Sequence, residues 1–226
     1  MAIAPRSRLY VRIFTPLAMV LLLVVLWLTG LLATVKPIEA AQTRAAVMEG
    51  GVAFDRVAYV DGIWGSKVLP TVDEKSMEIA TLLPALEKDA DAAAKEHGNN
   101  VGGADNFLVH LVGSVTAVDT ASLTGTVTVS APVDGKTVPV KLQVGPIILG
   151  TALRDAVRFI SFEQFTNQIQ FGGVSDELNT RVTRDVLSKI DVKSLQGKRV
   201  DVKGAFIFDP ANPRDILVTP VIVKVE

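Results

Sequence analysis

The sequence predicts an α+β protein: an N-terminal transmembrane helix, a helical region, then a five-stranded antiparallel barrel with a helical insert between strands three and four. Three observations predict it. Residues 13–35 contain no charged side chain over 23 positions. Residues 71–98 repeat apolar side chains every three or four positions, the signature of an amphipathic helix. From Phe107 onward the period becomes two, in five stretches divided three and two by a second helical region.

The apolar run reads LAMVLLLVVLWLTGLL at its centre and is long enough to cross a hydrocarbon layer about 30 Å thick. Arg6, Arg8 and Arg12 precede it, and no acid occurs before Glu39, so residues 1–12 are expected in the cytoplasm and the rest outside. A cleaved signal has a shorter apolar core of about 7–15 residues, and the nearest cut, Ile38-Glu39-Ala40, is a poor match. A retained single-pass anchor at 13–35 is therefore the expectation, in a bacterial inner membrane. Residues 36–51, small and polar, read as a tether.

A helical segment is expected over 52–98. Phe54, Val57, Ala58 and Ile63 have loose helical spacing, which Gly65 and Pro70 should interrupt. Thr71 and Glu74 form a T-x-x-E capping box for a longer helix, whose stripe is Ile79, Leu83, Leu86, Ala90 and Ala93. Pro84 should kink it and Gly98 should end it.

The domain 99–226 carries the strands. FLVHLVGSVTAVD, LTGTVTVSAPV and KTVPVKLQVGP are rich in valine and threonine, and Asp134-Gly135 is a hairpin turn between the second and third. The insert, 150–191, begins GTALRDAVRFISFEQFTNQIQF and continues VSDELNTRVTRDVLSKI. Ser175 is its expected second N-cap, with Leu178, Val182, Val186 and Ile190 along one face. KRVDVKGAFIFD and ILVTPVIVKV close the chain. Three strands, a helical insert and two strands is the element order of an oligonucleotide/oligosaccharide-binding (OB) barrel. The same order also suits an open antiparallel sheet covered by helices on one side.

The strings YVDGIWGSKVLP (59–70), LQVGPIILGTALRDAVRFISFEQFTNQIQF (142–171), GKRVDVKGAFIFD (197–209) and the late LVTPV resemble a family of unknown function, domain 2291, described as predicted periplasmic lipoproteins. GTALRDA and FTNQI are the specific parts, and the resemblance spans about 52–225. It implies a periplasmic location and an association with sugar-type ABC transport systems, and no established activity. The chain departs from the description in having no cysteine to carry a lipid.

Candidate chemistry is sparse. Arg154 and Asp155 sit in an apolar run, with Asp155 expected to pair with Arg158 at i, i+3. Arg154 either holds an anionic or polyhydroxyl ligand through its planar fork or ties the insert to the barrel in an ion pair. Phe165, Asn167 and Gln168 combine a ring with amides, as sugar sites do. Against that, Ser161 and Gln164 form an S-x-x-Q capping box, and Phe165 with Ile169 has ordinary core spacing. Tyr59, Asp61, Trp64 and Lys67 form a candidate interaction group, either at an interface or covering the barrel mouth.

His97 and His110 stand without a neighbouring acidic cluster, so no metal and no cofactor are expected. Zero cysteines exclude a thiol nucleophile and a thiolate metal site. Beyond the anchor there are 20 Lys and Arg against 24 Asp and Glu, which argues against nucleic acid. No nucleophile elbow, zinc-protease or phosphate-loop motif occurs. The expectation is a non-enzymatic periplasmic accessory module acting with an ABC transporter component or its solute-binding protein. The alternative is a sugar- or anion-binding domain using Arg154, Asn167 and Gln168. An envelope hydrolase ranks last.

Overall fold

Five strands close on one another in a ring. The structure, a computed structural model, describes residues 54–226; the expected anchor (13–35), the basic tail (1–12) and the tether (36–51) lie outside the described residues. Among the described residues no helix is long and apolar enough to cross a membrane. The unit that follows is Asp55–Glu226.

The ring strands are β3 (Ala104–Asp119), β4 (Thr126–Val133), β5 (Lys136–Gln143), β6 (Arg199–Phe208) and β7 (Ile216–Val225). Their neighbour order is β3-β4-β5-β7-β6, and β6 returns to β3 from Asp105↔Phe208 through Ser114↔Arg199. Two short strands, β1 (Met77–Glu78) and β2 (Asn99–Val101), add to β3 and were not foreseen. The expected antiparallel pairing holds except between β5 and β7, which run parallel through Val140↔Ile216 to Leu142↔Val218. That correction is topological: an odd number of strands cannot alternate direction around a closed ring, so one neighbouring pair must be parallel.

Alternation fills the interior. Val127, Val129, Ala131 and Val133 of β4, Val138, Val140 and Leu142 of β5, and Phe107, Val109 and Leu111 of β3 are buried. Phe107 stacks on Phe206 with ring centroids 5.6 Å apart. The turn at Asp134 (φ 49°) and Gly135 (φ 71°) has positive φ at both positions, as a hairpin turn matched to strand twist requires.

Helices follow a different segmentation from the one expected. α1 (Arg56–Ile63), capped by the Asp55 carboxylate, runs through a π-helical turn at Trp64–Val68 into α2 (Leu69–Lys75). Gly65 and Pro70 do not interrupt it. Pro70 is the second residue of α2, directly after the π-helical turn. Thr71 is inside α2, so the T-x-x-E capping box does not form; the next helix, α3 (Ile79–Lys88), starts after Glu78. α3 contains Pro84 and gives way at Asp89, whose side chain caps α4 (Ala90–His97). Ile79, Leu82, Leu83 and Leu86 join the ring's own core cluster, and Gly98 ends α4 as expected.

In the insert, α5 (Ala152–Ala156) is one turn, and α6 spans Gln168–Arg181 before a second π-helical turn at Val182–Val186. The N-cap is Asn167 and not Ser175, which is buried within α6 and bonds the Gly150 carbonyl at 3.1 Å.

Candidate functional site

The two π-helical turns border one groove. A cavity of about 470 Å³ is lined by Trp64 of the first and Leu69 directly after it, Asp185 and Val186 of the second, Lys189 and Ile190, and Val221–Val223 with Val225 of β7. A π turn inserts a residue into a helix, costs regular hydrogen bonding and tends to persist where a site uses it. The sheet contributes as well. β7 pairs with β5 through Ile216–Val218; from Thr219 to Val225 it has β6 along one side and, among the described residues, no strand along the other.

The charged lining residues, Asp185 and Lys189, come from the second π turn and the residues just after it. Arg181 ends α6 and meets three carboxylates: Asp61 of α1, Asp185 at 3.1 Å and Glu177 at 3.7 Å. Arg184 also binds Asp185, Nε to Oδ1 at 2.9 Å. The Arg184 hydrogen bond, then that from Arg181, holds the Asp185 carboxyl below its ordinary range. A carboxylate with a lowered native pKa lends stability that is complete above about pH 4 and is lost as pH falls through the native value. Thermal melts of Asp185→Asn should therefore show a shallower loss of Tm below about pH 4 than the native chain.

The predicted interaction group assembles here in part. Trp64 is buried and lines the groove, and Asp61 joins the Arg181 cluster. Tyr59 donates from its hydroxyl to Gln164 Oε1 at 3.1 Å and packs edge-on against Phe165, 5.3 Å between centroids. Burial pushes its phenol pKa up. Lys67 lies over the Phe159 ring at 6.0 Å.

The predicted ligand group is placed differently. Arg154 and Asp155 are 6% and 3% exposed, and they pair with each other: Nε to Oδ1 at 2.7 Å and a terminal nitrogen to Oδ2 at 3.0 Å. Arg154 also donates to the Phe171 carbonyl at 3.1 Å and lies 3.6 Å from the Phe171 ring centroid. The expected Asp155–Arg158 pair does not form, because Arg158 adopts φ 62° and turns to the Gly98 carbonyl. Asn167 accepts from the Gln170 amide at 3.0 Å, and Gln170 Oε1 accepts from the Thr166 amide at 3.0 Å. The FTNQIQ string is thus a helix start, with N-x-x-Q as its capping signal. Gln168 is its exposed first residue. The S-x-x-Q box does not form: Ser161 makes no side-chain cap, and Gln164 Nε2 turns to the Phe159 carbonyl at 2.9 Å. Phe165 is buried while Ile169 is 70% exposed, so the expected i, i+4 core pair is absent.

One cluster escaped sequence reasoning. His110 sits between two acids, Nδ1 against Glu78 and Nε2 2.8 Å from Asp201 Oδ1. Beside it, Lys203 donates to the Asp73 carboxylate at 2.6 Å and lowers that carboxyl's pKa. The partners come from β1 and β6 and are separated from His110 by 32 and 91 residues, so strand register alone brings them together. Among the described residues no group of His, Asp and Glu is arranged to hold a metal.

The family described as predicted periplasmic lipoprotein (DUF2291) matches residues 21–224. No curated protein matches the chain. A crystal structure of an OB-fold protein from Thermotoga maritima is similar over 77% of this chain and 100% of its own, with 19% identity and a TM-score of 0.64. That likeness establishes a shared fold, in agreement with the five-strand ring and its helical insert. The family match runs through the helices, every ring strand and the groove, and the chain therefore belongs to this family of predicted periplasmic lipoproteins.

Proposed function

We propose that the protein is a non-enzymatic docking module, tethered to the periplasmic face of the inner membrane, that binds an extended polypeptide segment of a partner in the groove beside β7. The observation that carries this reading is the convergence of both π turns on a strand edge that, among the described residues, has no strand beside it. An extended segment laid along Ile222–Val225, the half-buried to exposed end of β7, would gain main-chain hydrogen bonds, and the valines and Trp64 would supply apolar pockets.

The residues 13–35 serve as the membrane anchor in this reading, since none of the 226 residues is a cysteine that can carry a lipid. The partner proposed is a component of a solute ABC transport system, either a permease or a solute-binding protein, on the strength of the family resemblance. A sugar or anion site around Arg154 is less well supported, because Nε and both terminal nitrogens of that guanidinium are engaged within the fold.

The test is a mild cross-linking pull-down of the full chain from its own membranes, with Val225→Asp and Lys189→Glu as variants. Val225 is 40% exposed and Lys189 exposed, so neither change should lower Tm appreciably. Recovery of the partner should fall about tenfold in Val225→Asp, equivalent to about 1.4 kcal/mol. Equal recovery from both variants and the native chain would remove the groove from the account.

A further inference from the structure

Two loops at one end of the ring carry large apolar side chains into solvent. Thr126↔Gln143 pairing sets the β3–β4 loop (120–125, TASLTG) beside the segment after β5 (144–150, VGPIILG). Neither contains a charged residue. Leu123 is 66% exposed, Ile147 44% and Leu149 55%. Leu123 and Ile147 are adjacent, since the Ile147 amide donates to the Leu123 carbonyl at 3.0 Å.

The polar backbone of these loops is turned inward. The Val144 and Gly145 amides both donate to the Gly125 carbonyl, at 2.9 and 3.0 Å. Buried Gln143 accepts from the Leu149 amide at 2.8 Å and donates to the Leu149 carbonyl at 3.1 Å. Asn179 of α6 donates to the carbonyls of Ile148 and Gly150. Pro146 has no N–H to satisfy. Gly145 makes the join possible, because a Cβ there would lie 2.3 Å from the Leu123 carbonyl oxygen.

Aliphatic side chains outward, no charge, and several backbone groups bonded internally suit these loops to the headgroup/acyl boundary, because lipid offers few replacement hydrogen bonds. Protein hot spots favour Trp, Tyr and Arg, and these loops contain none of them. The 18 residues from 36 to 53 reach at most about 60 Å, which keeps a tethered domain within range of the bilayer. We propose that the loops 120–125 and 144–150 insert Leu123, Ile147 and Leu149 into the membrane surface and so hold the tethered domain in one orientation. The inference rests on the tethering part of the proposed function and not on its groove.

The native chain lacks cysteine, so single labels are unambiguous. The full chain is reconstituted in phosphatidylethanolamine/phosphatidylglycerol vesicles with one nitroxide at Leu123→Cys, Ile147→Cys, Leu23→Cys, or Lys136→Cys at the opposite hairpin. Collision with dissolved oxygen and with an aqueous nickel chelate is then read at each site. Labels at 123 and 147 should lie roughly 5–10 Å into the interface and lose nickel collision several-fold relative to 136. Nickel access at 123 and 147 equal to that at 136, with 23 shielded, overturns the inference and leaves the tether intact. Nickel access at all four sites overturns the tether and the inference together. Shielding at 123 and 147 with 23 exposed overturns the tether, and with it the inference that these loops orient a tethered domain.

Discussion

Replacing Asp155 by alanine should lower the stability of the domain by about 3–5 kcal/mol. Arg154 is 6% exposed, and its carboxylate partner supplies two of its three internal hydrogen bonds. Deleting that partner leaves a guanidinium charge out of water without a counter-charge, which is the costly half of a buried ion pair. The Phe171 carbonyl and ring compensate only in part. Guanidinium denaturation of the native chain and Asp155→Ala gives the difference. The companion variant Arg154→Met/Asp155→Leu removes both charges and keeps the volume, and should recover most of the loss. A single variant as stable as the native chain would show that the pair does not hold α5 in place.

The second large effect belongs to Gly204. A Cβ there would stand 2.3 Å from the Thr219 carbonyl oxygen and 2.7 Å from Val218 Cγ1, where the β6–β7 register shifts between Lys203 and Gly204. Backbone cannot yield at that point without opening the pairing on which ring closure depends, so Gly204→Ala should cost at least about 3 kcal/mol. Gly113 is tight for the same reason, with the Ser130 carbonyl oxygen 2.3 Å from its Cβ position. Gly172, inside α6, has nothing within 4 Å of its Cβ position. Gly172→Ala should therefore stabilise by about 0.5–1 kcal/mol, as alanine does in a helix with room for it. Urea titrations of the two variants should move the midpoint in opposite directions. A midpoint unchanged by Gly204→Ala would contradict the close approach of β6 and β7.

The strands were legible because each one's valine and threonine alternation matches the half-buried face it presents, and because Asp134-Gly135 supplies the conformation its turn needs. That a closed ring of five strands has a parallel pair follows from strand count alone; that the pair is β5 and β7 does not. Helix starts were less legible because two capping signals overlap in SFEQFTNQIQ, and side-chain spacing does not say which one the backbone takes. The fold takes N-x-x-Q, since Phe165 must be extended to bury its ring against Tyr59 and Phe171. For Arg154 the sequence favoured an ion pair over a ligand contact. The pair forms between Arg154 and the adjacent Asp155, whereas helical spacing had joined Asp155 to Arg158. The groove and the Glu78–His110–Asp201 cluster were invisible, because both are made by strand register and helix docking across distant parts of the sequence.

The docking groove is the centre of the account, and residue-specific photo-crosslinking tests it most directly. A photoreactive side chain is placed at Val223 in the groove, and in a second chain at Lys136 on the far hairpin, each in the full protein in its own membrane. The account predicts one discrete adduct from 223, identified by mass spectrometry as an extended segment of a transport component, and none from 136. No adduct from 223, or the same adducts from both positions, would contradict it.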